Sequence, residues 1–105
     1  MEGGGLREQT QAAFVGTTVG AALTTTTARG CSAVYTGVGV VTVTLDKALP
    51  STEGQIAVET RTATSFCNVT HTSDTVKVLT FIDDAHAPIE TAFCMRAIRF
   101  AYGLT

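Results

Sequence analysis

The chain of 105 residues carries seven Lys and Arg against nine Asp and Glu, a formal net charge of -2. This balance excludes the basic stripe that tracks phosphates, so we expect no nucleic-acid partner. The apolar runs are far shorter than the roughly 20 residues that span a bilayer, and Met1 to Thr10 is too polar for a signal peptide. We therefore expect no membrane partner and synthesis in the cytoplasm.

The first ten residues, Met1 to Thr10, are predicted to form an N-terminal arm. Gly3, Gly4 and Gly5 make this backbone entropically costly to order, and Leu6 is its apolar contact residue. Because a glycine triplet does not order itself, we expect another subunit, or a lattice neighbour, to hold the arm in place. Residues 11–105 are then predicted to form a single domain.

The rest of the chain alternates apolar and polar residues with the period of two that indicates half-buried strands. The clearest case is Val38 to Asp46, where Val41, Val43 and Leu45 share one side. The twenty Thr and eleven Val of the chain also favour strands. The predicted strands are Ala12 to Val15, Val19 to Leu23, Ser32 to Thr36, Val40 to Asp46, Gln55 to Thr62, Phe66 to Thr72, Thr75 to Ile82 and Thr91 to Phe100.

The breaks between these segments have the composition of turns. Short hairpin connections are predicted at Tyr35 to Gly39 and Thr72 to Thr75, and Gly16 is predicted to end the first strand. The Thr24 to Gly30 stretch is either an exposed edge strand or a loop. The pattern predicts an all-β fold, an antiparallel β-sandwich or jelly roll of seven or eight strands.

No group of residues in the sequence stands out as a catalytic, cofactor or metal site. His71 lies near Asp74, and His86 near Asp83 and Asp84, but such loops are usually rich in Asp for reasons of turn geometry. We therefore expect no metal, no cofactor and no enzyme. Cys31, Cys67 and Cys94 lack the spacing of a zinc site, and we expect buried free thiols, with a Cys67/Cys94 bridge as the alternative.

The last predicted strand is apolar on both sides and contains Arg96 and Arg99. Such a strand is central in its sheet or abuts a second chain. Glu59 and Glu90 are candidate partners of the two arginines, and a subunit interface is the alternative. The core is poor in large side chains, with no Trp, so we expect a homo-oligomer, a trimer or a dimer.

Two stretches carry a resemblance to a known class of protein. CSAVYTGVGVVTVTLDKALPSTEGQIAVETRT contains a hairpin that leads into a Leu-Pro turn, and FCNVTHTSDTVKVLTFIDDAHAPIETAFCMRAIRF contains a closing hairpin. Together, from about Cys31 to Phe100, they resemble the small β-domains of tailed-bacteriophage virions, found in capsid decoration (cement) proteins and in fibre or tail proteins. A fibre protein would have a long shaft before this module, so the short N-terminal segment favours a decoration protein.

The resemblance implies a non-enzymatic virion protein that binds the major capsid protein or other virion subunits. The residues predicted to contact the partner are Leu6, Arg7, Phe14, Arg96 and Arg99, with Phe14 joining the arm to the core. The alternative function is a receptor- or carbohydrate-binding tail module that uses the loops Thr24 to Gly30 and Asp83 to Pro88. A scarcity of exposed aromatic residues weighs against this alternative. A third hypothesis is an enzyme that uses His71 or His86.

Overall fold

The structure is a computed structural model that describes residues 6–102, and its side chains from Glu8 to Phe100. All regular structure in this part of the chain is β-strand, and it contains no helix that could cross a membrane. The eight strands are β1 (Leu6–Val19), β2 (Ala22–Arg29), β3 (Cys31–Gly37), β4 (Val40–Leu45), β5 (Gly54–Thr60), β6 (Ser65–His71), β7 (Val76–Asp83) and β8 (Ala92–Tyr102).

The strands form two antiparallel four-stranded sheets, which confirms the predicted all-β class. Sheet 1 has the order β2-β1-β8-β5, and sheet 2 has the order β3-β4-β7-β6. The sheets face each other across one apolar core, in a sandwich-like arrangement. Strand β8 lies between β1 and β5, so the expectation that this doubly apolar strand is central is confirmed.

Aromatic rings join the two layers at the centre of the core. Phe14 on β1 and Phe93 on β8 are stacked with their centroids 5.7 Å apart, and the Phe93 centroid lies 4.8 Å from that of Phe81 on β7. All three side chains are buried. Phe93 therefore contacts both its own sheet and the opposite one, and offset aromatic contacts of this kind add to the energy of burial.

Strand β1 is longer than predicted at both ends. Leu6 to Thr10, predicted to belong to a separate arm, pairs with the end of β8, from Leu6 opposite Tyr102 to Thr10 opposite Ile98. The predicted arm is thus not confirmed for these five residues, which form the start of β1; Met1 to Gly5 lie outside the described residues. The pairing gives the backbone groups of Leu6 to Thr10 ladder partners within their own subunit.

The predicted break at Gly16 is also wrong. Gly16 lies inside β1, next to a register shift in the pairing with β2. A Cβ atom there would lie 2.7 Å from a ring carbon of Phe14 and 2.9 Å from the carbonyl oxygen of Thr24. Gly16 is therefore needed for a close approach inside a strand rather than for a turn.

The turn that does end β1 is formed by Gly20 and Ala21, both with φ of 60°. Positive φ at both central residues is typical of the tight turn that matches the twist of a hairpin. It leads into β2, so the Thr24 to Thr27 run forms an edge strand rather than a loop. The predicted hairpin connections between β3 and β4 and between β6 and β7 are confirmed.

Candidate interaction surfaces

The predicted contact residues lie in different parts of the molecule. Phe14 is 1% exposed in the core, so its side chain packs inside the domain and presents no surface to a partner. The backbone of Leu6 and Arg7 lies in β1, and their side chains lie outside the described residues. Arg96 is exposed on the outer face of sheet 1, so of the two arginines it is the one that a partner can reach.

Arg99 lies at one end of the sandwich and forms hydrogen bonds within its own chain. Its guanidinium donates to the Glu53 carboxylate at 2.6 Å, to the Gln11 side-chain oxygen at 3.0 Å and to the Ala48 carbonyl at 2.5 Å. Its side chain is 21% exposed. These contacts tie β8 to the connection between β4 and β5, which is a structural role.

The predicted acidic partners of the arginines, Glu59 and Glu90, have other contacts. Glu59 lies 3.4 Å from Arg61 in an exposed ion pair. Glu90 accepts hydrogen bonds from the backbone N–H groups of Gly20 and Ala21 and from the Tyr35 hydroxyl. The hydrogen bond from Tyr35 is the largest of the causes that lower the pKa of Glu90. Desolvation raises the pKa of Tyr35, and the hydrogen bond to Glu90 raises it further.

Lys77 forms a cluster with His71 that the sequence did not predict. His86 lies elsewhere, in the Asp83 to Pro88 turn. Lys77 is 2% exposed at the end of β7, and its ammonium donates at 2.9 Å to the carbonyl oxygens of both Leu49 and Ser73 and also contacts His71 Nδ1. Burial lowers the Lys77 pKa, and nearby Asp74 opposes the shift. An apolar-Lys-apolar pattern in a strand gives no sign that the lysine points inward, so only the fold reveals this contact.

The Asp83 to Pro88 segment is a compact turn. Asp83 Oδ1 accepts from the N–H groups of Ala85 and Ala87 at 2.9 Å, and His86 has a φ of 65°. Asp83 therefore stabilises its own loop. Across the described residues, no group of three or more His, Cys, Asp and Glu side chains could hold a metal ion.

The three cysteines are free thiols, so the alternative Cys67/Cys94 bridge is not formed. Cys31 is buried, as expected, whereas Cys67 and Cys94 are partly exposed. Desolvation raises the Cys67 pKa to about 11, which keeps this thiol protonated at neutral pH. Cys94 faces outward from β8, where its sulfur accepts a hydrogen bond from Arg61 at 2.8 Å.

The outer face of sheet 2 is a broad surface without a charged side chain. The register places it opposite the buried row that pairs Val41 with Leu79, so Thr42 and its partner Val78 point away from the core. Val34, next in this row, is 60% exposed. We call this surface the Val/Thr face; its residues are Ser32, Val34, Thr36, Val40, Thr42, Thr44, Phe66, Asn68, Thr70, Val76, Val78, Thr80 and Ile82.

The outer face of sheet 1 differs in charge. It presents Glu59, Arg96 and Arg29 among its outward positions. A depression of about 410 Å³ lies there, lined by Glu59, Arg96 and Cys94 together with Ala57 and Val58. The chain matches no protein-family model, no curated protein and no solved structure. The surfaces therefore have to be interpreted from their own chemistry.

Proposed function

We propose that this chain is a non-enzymatic structural protein of a bacteriophage virion, a capsid decoration protein that binds and stabilises the assembled shell. It would be made in the host cytoplasm and incorporated into the particle. The observation that carries the proposal is the Val/Thr face, because an uncharged sheet surface can bind a protein partner without desolvating a charge. We further propose that the fold is a sandwich rather than a jelly roll. Each of the three hairpins, β1–β2, β3–β4 and β6–β7, lies within a single sheet.

The size of the Val/Thr face favours many weak contacts over one strong contact. Strands about 4.8 Å apart and outward positions about 6.8 Å apart give the listed positions of this face a footprint of roughly 400 Å². A standard interface buries about 800 Å² per partner, so one copy alone would bind weakly. A homo-oligomer, a trimer or a dimer, on a shell of repeated capsid subunits would gain affinity through multivalency.

The paired ends of β1 and β8 offer a second contact in this proposal. Glu8, Gln9 and Thr10 are exposed, because this part of the ladder extends beyond the core. Leu6 and Arg7 belong to the same end of β1. Arg96 lies further along β8 on the outer face of sheet 1, where a neighbouring subunit can reach it.

The test is shell binding by two variants that carry the same added charge. Val34→Glu places a carboxylate on the Val/Thr face, and Thr24→Glu places one at an exposed position of the edge strand β2, away from Arg96 and from the start of β1. Purified variants are mixed with shells assembled from the major capsid protein of the same genome, and bound copies are counted after sedimentation. We expect Val34→Glu to lower occupancy at least tenfold, because the carboxylate would lose its hydration in the contact.

The control Thr24→Glu is expected to bind like the unmodified chain. Circular dichroism of both variants checks that the sheets are intact. If the unmodified chain fails to sediment with the shells, the decoration function is refuted. Equal binding by both variants would instead remove the Val/Thr face from the interface.

A further inference from the structure

An exposed aromatic side chain lies at one corner of the Val/Thr face. Phe66 on β6 is 55% exposed, although its cross-strand partner Ile82 is partly buried. The ring lies beside the compact Asp83 to Pro88 turn, in a depression of about 450 Å³. The depression is lined by Phe66, Asn68, Ile82, Asp83, Asp84 and His86.

We propose that this depression is a binding site for a neutral pyranose of a glycan. The C–H groups on one face of a pyranose carry partial positive charge, and the face of a phenyl ring is negative, so the two stack favourably. Around the ring, Asn68, Asp84 and His86 supply an amide, a carboxylate and an imidazole that can hydrogen-bond sugar hydroxyls. A few polar groups around an apolar contact surface are the usual composition of a small-ligand site.

The polar side chains of the depression are available to a ligand. Asn68, Asp84 and His86 make no side-chain hydrogen bond to another residue of the described chain, whereas Asp83 is occupied in stabilising the turn. A sugar can therefore bind them without breaking an internal contact.

The turn that carries two of these groups is preorganised. Asp83 accepts from two backbone N–H groups of the turn, its own N–H donates to the Ala87 carbonyl at 2.9 Å, and a bridge joins Ile82 to Pro88. His86 is held in the left-handed region, which is uncommon for a residue other than glycine. A loop that is already ordered loses little conformational entropy when a ligand binds.

The charge of the depression selects the class of sugar. Two carboxylates, Asp83 and Asp84, line the depression. They would repel the carboxylate of a sialic or uronic acid, whereas a hexose or an N-acetylhexosamine carries no such charge. The site is therefore assigned to neutral sugars.

This inference does not depend on shell attachment. Phe66 lies across the sheet from Val34, three strand spacings or about 14 Å away, and is displaced by four residues, about 13 Å, along the strands. The glycan site therefore shares Phe66, Asn68 and Ile82 with the Val/Thr face but lies far from Val34.

The experiment is an NMR titration of the ¹⁵N-labelled full chain with lactose, cellobiose and chitobiose, and with 3′-sialyllactose as the anionic comparator. We expect the amide signals of Phe66 to Asn68 and Asp83 to Ala87 to shift with at least one neutral disaccharide, with a Kd in the millimolar range, and not with sialyllactose at the same concentration. Phe66→Ala should weaken that binding at least about tenfold, since it removes the stacking surface.

Val34→Ala is the matched control, because it shortens a similarly exposed apolar side chain on the opposite edge strand of the face and should leave the titration unchanged. Dispersed spectra of both variants show that they are folded. The proposal is overturned if none of the neutral sugars shifts these signals, or if the shifts survive in Phe66→Ala. It is also overturned if Phe66→Ala changes the molar mass of the purified protein in solution, measured by light scattering, because the corner is then a contact between copies of the chain.

Discussion

Glu90 is the residue through which three separate segments meet. Its carboxylate receives the N–H groups of Gly20 and Ala21 at 2.8 and 3.1 Å and the hydroxyl of Tyr35 at 2.8 Å. Ala21 has a positive φ, which a residue with a Cβ adopts only at an energetic cost. The ionised carboxylate offsets part of this cost by accepting from the turn, so the β1–β2 turn, β3 and the segment before β8 depend on one charge.

This contact predicts acid sensitivity. The pKa of Glu90 is lowered in the folded chain, mainly by the hydrogen bond from Tyr35. As the pH falls below the usual pKa of 4.5, the unfolded chain therefore binds a proton before the folded chain does. The stabilisation is complete above that value and is lost as the pH falls through the lowered pKa. Urea unfolding between pH 3 and pH 7 should show this decline, and Glu90→Gln should make it shallower.

Tyr35→Phe provides the companion measurement. It removes the largest cause of the shift but keeps the ring, so it should also reduce the acid decline. If both variants keep the slope of the unmodified chain, the carboxylate contributes nothing to the pH dependence.

Individual residues show that the sequence predicts which side chains are buried but not which distant residues they contact. The alternation correctly placed Val41, Val43 and Leu45 on a buried face, because burial follows from the period of the strand. The partners of Arg99 and Glu90 were mispredicted, since the partners that form lie 46 to 88 residues away along the chain. Sequence spacing carries no information on which distant loops meet at the open ends of a sandwich.

At the scale of elements, the strands from β3 to β8 were predicted closely and β1 was not. Gly16 and the Gly20-Ala21 turn look alike in sequence, because both place a glycine after an apolar residue in a strand pattern. Only the pairing shows that Gly16 is a close approach and Gly20 a turn. The sequence did not predict that Leu6 to Thr10 belong to β1, because these residues follow three glycines. Their pairing depends on β8 at the other end of the chain.

This pairing leads to a prediction for two truncated chains. Deleting Met1 to Thr10 should leave the domain folded but lower its free energy of unfolding by about 2 kcal/mol, because a few ladder hydrogen bonds, each worth about 1 kcal/mol or less, are lost. Deleting only Met1 to Gly5 is the control, since it preserves the described part of β1. Urea unfolding followed by circular dichroism measures both. Equal stability of the two chains would mean that the end of β1 does not support the fold.

At the scale of the whole molecule, strand pairing extends the fold beyond its core. The principal-axis extents are 50 × 26 × 23 Å, and the radius of gyration of 14.8 Å exceeds the roughly 13 Å expected for a compact domain of this length. The long β1 and β8 strands produce this shape, because their paired ends continue past the buried rows. The class of fold followed from the repeated alternation, whereas the surfaces depend on sheet order, which the alternation does not contain.

The integrity of both layers depends on Phe93, and this dependence can be measured. Its ring contacts Phe14 of its own sheet and Phe81 of the opposite sheet. Phe93→Ala should therefore cost about 3–5 kcal/mol of unfolding free energy, a large part of the roughly 5–15 kcal/mol available to a small domain. Phe66→Ala removes the same group from an exposed position and should cost less than about 1 kcal/mol. Equal losses in urea unfolding of the two variants would mean that the two sheets are not held together through this ring, because a residue that joins both layers must matter more than one that faces solvent.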